Sequence, residues 1–408
     1  MKNQIFLLIL LITCFSSRSQ DVIKITIPCN DALLINTNGR WLKGDDLLDP
    51  GHIGLNKTQV QEVVTRLDII HKLVLGIFPQ PMGIDARWHR SLGYALFGNK
   101  VKFELNSSEV LNANPIGGLP VASYYYTSNF YRYSCYNKQN EIWTGWPGET
   151  SNGIQVFANT ISSLIGSGSP DTMTIDGRRV TMRHPTKETW KGYELYHSQS
   201  GRTHGSLLIH RKGELPYIPV TRKQYLDRCI AHLNKLYDQM IKDINDRPIR
   251  TVEEQEAEKN KKLEKFEKDF GKDPKKLKSA VDYYLAGYET EQQRRDKEIE
   301  QRIKEKNAVL RRYQDALEKT MAADLLNSPA IIPLMIYDPY TEPVFSTEAE
   351  GNMLVTENPA YMRKDLPKYV PQFIVLKWGF QDWVGYQNMW KIFEANFPVE
   401  KLQVMIDK

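Results

Sequence analysis

The sequence predicts an α+β fold: a largely antiparallel sheet with a covering helix, plus an inserted long charged α-helical arm. Three observations predict it. Strand-like segments recur up to residue 220 without regular alternation with helices, and one amphipathic helix stands among them. From Thr221 the pattern turns to helical spacing that lasts until Pro329, after which short strands return.

Ile23, Ile25 and Ile27 alternate with Lys24 and Thr26 as a first strand, and Asn38-Gly39 within 33–43 is a hairpin signal. A helix follows. Thr58 with Gln61 makes a capping box, and Val60, Val63, Val64, Leu67, Ile70, Leu73 and Val74 share one face before Pro79 and Pro81 stop the run. Tyr and Phe crowd 123–136, which favours a pleated surface, and further strands are expected at 172–183, 193–197 and 206–211.

The arm opens with a capping box of Thr221 and Gln224, then Tyr225, Cys229, Leu233, Leu236, Met240 and Ile244 at three-to-four spacing, closed by Pro248. Thr251 with Glu254 starts a second helix that Gly271 ends, and Asp273-Pro274 caps a third. Ile299, Ile303, Leu310, Tyr313, Leu317 and Met321 stripe the last; as one helix, 289–325 is roughly 55 Å long. Between 251 and 319, eighteen Lys and Arg interleave with seventeen Asp and Glu, the pattern of a solvated helical arm.

Beyond Pro329, strands are expected at 331–337, 353–356 and 372–378, then an aromatic helix over 383–396 and a short helix from Val399. So few strands make a poor independent sheet, so the segment should pack back on the first. The organisation is therefore a signal peptide over 1–19, an α+β domain over 20–220, a helical arm or hairpin over 221–328, and a returning segment over 329–408.

The start of the chain reads as an export signal: Lys2, an apolar run from Ile5 to Phe15, and small residues at Ser17 and Ser19 before the cleavage point. The run falls short of the roughly twenty residues that span a bilayer, and every later apolar stretch is interrupted, so no membrane span is expected in the mature protein. Lipidation at Cys14 is the alternative, disfavoured by Thr13 before it. The mature chain keeps Cys29, Cys135 and Cys229, which allow at most one internal bridge, and a charge excess near three, below +5 for the full sequence. That excess is too small for nucleic acid.

Candidate chemistry is sparse. His184, His197, His204 and His210 fall in one β-rich stretch and are candidate metal ligands, against the plainer reading of hydrogen-bonded histidines, since the spacing fits no zinc pattern. On a helix Asp85 would orient the His89 imidazole four residues on, as in acid–base sites, against the plainer reading of a local surface or capping contact. Cys135 is a candidate thiol inside an aromatic strand, and Gly-x-Ser-x-Gly, Ser-x-x-Lys and phosphate-loop motifs are missing. Tyr124, Tyr126, Trp143 and Trp146 are candidate ligand-stacking residues, against simple cross-strand packing. No cofactor is implied.

The sequence thus points to an exported, non-enzymatic protein of the cell envelope or exterior, periplasmic or secreted, whose charged helical arm serves self-association or partner binding. The alternative is a glycan-binding protein or envelope hydrolase that uses the aromatic stretch 123–146 and the His-rich strands 184–210.

Overall fold

The computed structural model describes residues 22–24, 29–48, 55–92, 121–135, 141–143, 152–161, 174–175, 178–197, 202–333 and 343–408. The segment 1–19, expected to be an export signal, lies outside them. In chain order the elements are β1 (Val22–Lys24), α1 (Asp31–Ile35), β2 (Arg40–Lys43), α2 (Lys57–Ile77), β3 (Ile84–Leu92) and β4 (Tyr124–Arg132). Then come β5 (Ser134–Cys135), β6 (Glu141–Trp143), β7 (Gly153–Ala158), β8 (Thr174–Ile175), β9 (Arg178–Arg179) and β10 (Thr181–Arg183). Four strands lead to the arm: β11 (Thr186–Trp190), β12 (Tyr193–Tyr196), β13 (His204–Ile209) and β14 (Tyr217–Pro219). The helices α3 (Arg222–Asn245), α4 (Val252–Phe270), α5 (Pro274–Gly287) and α6 (Glu291–Ala322) follow. Last are β15 (Ile331–Pro333), β16 (Gly351–Glu357), β17 (Ile374–Gly379), α7 (Val384–Asn396) and α8 (Val399–Gln403).

The chain divides into two compact units, one made of Met1–Val220 and Thr347–Lys408, the other of Thr221–Ser346. The first is the α+β body, completed by a returning C-terminal segment. The helical unit runs on to Ser346, where the Phe345 ring packs against Tyr225 and the Arg222 guanidinium.

The body is built on an eight-stranded sheet in the order β11-β12-β13-β17-β7-β4-β3-β2, antiparallel except where β2 lies parallel to β3. That parallel edge removes the hairpin expected at Asn38-Gly39: Gly39 donates its N–H to Pro81, and a parallel partner needs the long α2 crossover. Gly83, at φ +69°, turns the chain into β3, where a Cβ would sit 2.6 Å from the Leu34 carbonyl oxygen.

One face of the sheet carries the main core. Tyr124, Tyr126 and Phe130 of β4, Ile154 and Val156 of β7, and Leu376 and Trp378 of β17 pack with Val63, Leu67, Ile70 and Val74 of α2 and with Trp390 and Phe393 of α7. The α2 stripe is the one its periodicity predicted. Its cap is not: Asn56 accepts from Gln59 N–H, and the Gln59 side chain returns to Asn56 N–H, so the box sits two residues before Thr58 and Gln61. At the β3 edge, buried Arg90 donates to Asp46 from Nε at 3.2 Å and to Asp68 from Nη1 at 2.7 Å.

Cys29 and Cys135 form a disulfide, with 5.6 Å between their Cα atoms. It borders a small separate core of Leu34, Tyr133 and Ile142. Among the described residues no helix is long and apolar enough to cross a membrane.

Candidate functional site

In the helical unit, α3 and α6 lie antiparallel. Tyr225 meets Tyr313, Asp238 accepts from Lys306 at 2.7 Å, and Arg247 donates to Glu298 at 2.9 Å, so partners descend along α6 as residues rise along α3. Both helices open with full capping boxes, Thr221 with Gln224 and Thr290 with Gln293. At 32 residues α6 spans about 48 Å.

The apolar stripe of α3 is closed only at its start. Tyr225 is buried under Tyr313 and Phe345, and Cys229 is buried beside it, yet Leu236 and Met240 on the same stripe remain 38% and 37% exposed. On α6 the sequence placed Ile303 in the stripe, but it is 43% exposed, while the Lys306 side chain is largely covered where it reaches Asp238. At the far end buried Gln255 donates to the Arg250 carbonyl and accepts from Glu291 N–H, joining α4 to the start of α6. Tyr283 of α5 is 86% exposed.

Burial pushes the Cys229 thiol up to about 11, against smaller opposing effects of Tyr225 and Tyr313. We predict that the folded, oxidised protein produced without residues 1–19 gives no reaction with iodoacetamide near pH 8 and one alkylated thiol per chain after denaturation without reductant. Labelling of the native protein would show Cys229 exposed, and three labels after denaturation would show the bridge absent. Cys135 is therefore a bridge half and not a nucleophile.

The other predicted residues divide. Tyr124 and Tyr126 are buried in the main core, where Tyr124 donates to the Tyr369 carbonyl and the Tyr126 hydroxyl pairs with His71 Nδ1 at 3.1 Å. Their rings offer no face to a ligand, so cross-strand packing explains them. Trp143 ends β6 in register with Val22, and Trp146 lies outside the described residues. Asp85 and His89 sit on β3, not on a helix, roughly 13 Å apart along the strand. Asp85 instead accepts from Arg40 at 2.9 Å and Tyr133 at 2.8 Å.

The four histidines have separate partners. His184 donates from Nδ1 to Asn352 Oδ1 at 2.8 Å, and His197 Nε2 lies 3.5 Å from Glu188. Burial lowers the His184 pKa, the Asn352 hydrogen bond partly restores it, and the positive charges of Lys377 and His197 lower it further. His204 and His210 lie six positions apart along the β13 run, roughly 20 Å, which keeps the four from converging. Among the described residues no group of three or more His, Cys, Asp and Glu is arranged to hold a metal ion.

No family model, curated protein or solved structure matches the chain. The site therefore rests on its own chemistry. Sequence reasoning passed over Lys377, although a single lysine interrupting Ile374-Val375-Leu376 and Trp378 was a visible signal. Burial pushes its ammonium below the usual lysine range.

Proposed function

We propose that this is an exported, non-enzymatic protein of the cell envelope or exterior, whose helical unit joins it to a second copy or to another protein. The observation that carries the reading is the α3 stripe, closed at Tyr225 and open at Leu236 and Met240. Two helices cover an apolar stripe from one side only, and a third or fourth helix is the usual way to close it. The interleaved charges around it would meet opposite charges on another such helix, which favours association without a strong net field. The Cys29–Cys135 bridge supports export, since such bonds persist in oxidising compartments.

The test is a Leu236→Glu, Met240→Glu variant. Both side chains are exposed, so stability should change by about 1 kcal/mol or less, while the assembly seen by light scattering, or the partner retained in a pull-down, is lost. An unchanged assembly state together with unchanged partner capture would reject the reading.

A further inference from the structure

The charges of the helical unit balance only in the aggregate. From Lys259 to Lys278, through the end of α4, the turn and the start of α5, nine lysines stand against four Asp and Glu. The rest of 251–319 holds nine Lys and Arg against thirteen Asp and Glu. Much of that acidic excess is engaged at the root of the hairpin, where Glu258 and Glu291 pair with Arg250, Glu289 with Lys297 and Glu298 with Arg247. The basic end is not engaged. Lys261, Lys265, Lys268, Lys272, Lys275 and Lys278 are exposed and make no ion pair with a described residue. Apolar surface lies on the same hairpin, for α5 has no buried residue. It leans on α4 through Tyr284, whose ring meets Phe266 edge to face with 5.7 Å between centroids. At 3.6 residues a turn, Lys275, Lys278 and Ala286 then fall on the opposite side, flanked by Tyr283 at 86% and Leu285 at 43% exposure. Asp282 is the one acidic residue of α5.

We propose that α5 and the turn before it dock on the surface of an anionic lipid bilayer, with Lys272, Lys275 and Lys278 against the headgroups and Tyr283 and Leu285 in the layer beneath them. The cations of this end are all lysine. A point charge on a flexible stem suits a diffuse layer of anions, whereas the arginine fork suits one fixed oxyanion. A second copy of the hairpin end would bring like charges together. A soluble polyanion would use the lysines and leave Tyr283 and Leu285 in water. A bilayer takes both, since a ring with a polar tip sits at headgroup level and lysine stems lie along apolar surface with the ammonium in water. At 14 residues, about 21 Å long, α5 lies along such a surface and does not cross it. This surface uses neither Leu236 nor Met240, so it stands or falls separately from the assembly reading.

Co-flotation of the protein produced without residues 1–19 with lipid vesicles tests it. The protein should float with vesicles of equal parts phosphatidylcholine and phosphatidylglycerol, and not with phosphatidylcholine alone. Raising the salt from about 0.1 to about 1 M, which shortens the screening length from roughly 10 to roughly 3 Å, should release most of it. Changing Lys272, Lys275 and Lys278 together to glutamine should weaken binding about 100-fold, since each lysine near a charged surface contributes roughly fivefold. A Tyr283→Ser, Leu285→Ser variant should weaken it by about tenfold through lost apolar contact. All five side chains are exposed, so both variants should fold, which circular dichroism checks. Absence of flotation with the anionic vesicles, equal flotation with phosphatidylcholine alone, or unchanged affinity in the lysine variant would each overturn the proposal. Unchanged affinity in the Tyr283 and Leu285 variant would overturn it too, because lysines acting alone would mark the end as a binder of soluble polyanions.

Discussion

Replacing both Cys29 and Cys135 by serine is expected to cost about 4 kcal/mol of stability and to lower the midpoint of thermal unfolding by roughly 10 °C. The bridge spans a sequence separation of 106, and restricting so long a loop in the unfolded chain accounts for most of that effect. Little nearby can compensate. Among the described residues the adjoining core holds Leu34, Tyr133 and Ile142 as buried members, and β1, β6 and β5 form a small sheet of three short strands. Both cysteines must be changed, since a single serine leaves a second free thiol in the chain in addition to Cys229. Urea unfolding followed by far-ultraviolet dichroism measures the difference, and a loss below about 1 kcal/mol would mean that the bridge holds only a locally fraying segment.

Arg90→Met should be comparably damaging, at about 3–5 kcal/mol near pH 7, because it removes the cation shared by two carboxylates and leaves Asp46 with the half-exposed Lys43 alone. The burden falls on Asp46, whose side chain is mostly buried; Asp68, nearly half exposed, can rehydrate. Burial alone would raise the Asp46 pKa, but hydrogen bonds from Arg90 and Lys43 outweigh it and hold the group below its ordinary 3.8. A depressed carboxylate contributes stability above its unfolded pKa and loses it as pH falls through the lower folded value. In the variant Asp46 keeps the burial and loses the main partner, so the gap between the two proteins should narrow as pH drops below about 4. Parallel urea titrations at pH 7 and pH 3 check the sign; a gap that widens in acid would show that Arg90 acts through packing and not through charge.

The parts of the fold that follow from local pattern were readable in the sequence. Val63, Leu67, Ile70 and Val74 announced α2, Thr221 with Gln224 announced α3, and the Tyr-rich run announced β4, because periodicity and capping are properties of adjacent residues. What escaped depends on distant partners. The β2 edge was taken for half a hairpin because Asn-Gly is a local turn signal, whereas its pairing with β3 is set by residues some forty positions away. Asp85 and His89 were paired on a helix that proved to be a strand, since a mixed apolar and charged stretch fits either period. The candidate rings Tyr124 and Tyr126 could be assigned to a face only once α2 was known to cover that side. Lys377 and Thr127 become neighbours in a row only through the order β17-β7-β4, which no single segment encodes.

That strand order also sets a timetable for synthesis. β17 lies between β13 and β7, so until it is made the sheet exists as two separate pieces, each ending in an unpaired edge. Between β7 and β17 the ribosome must make β8 to β16 and the whole helical unit, together more than 200 residues, which takes roughly 10–40 s at ordinary elongation rates. The helices can form early from contacts close in sequence, while the body waits for its central strand. During that wait the nascent chain presents two sticky strand edges and remains threadable, and the arrival of β17 joins both halves in one step.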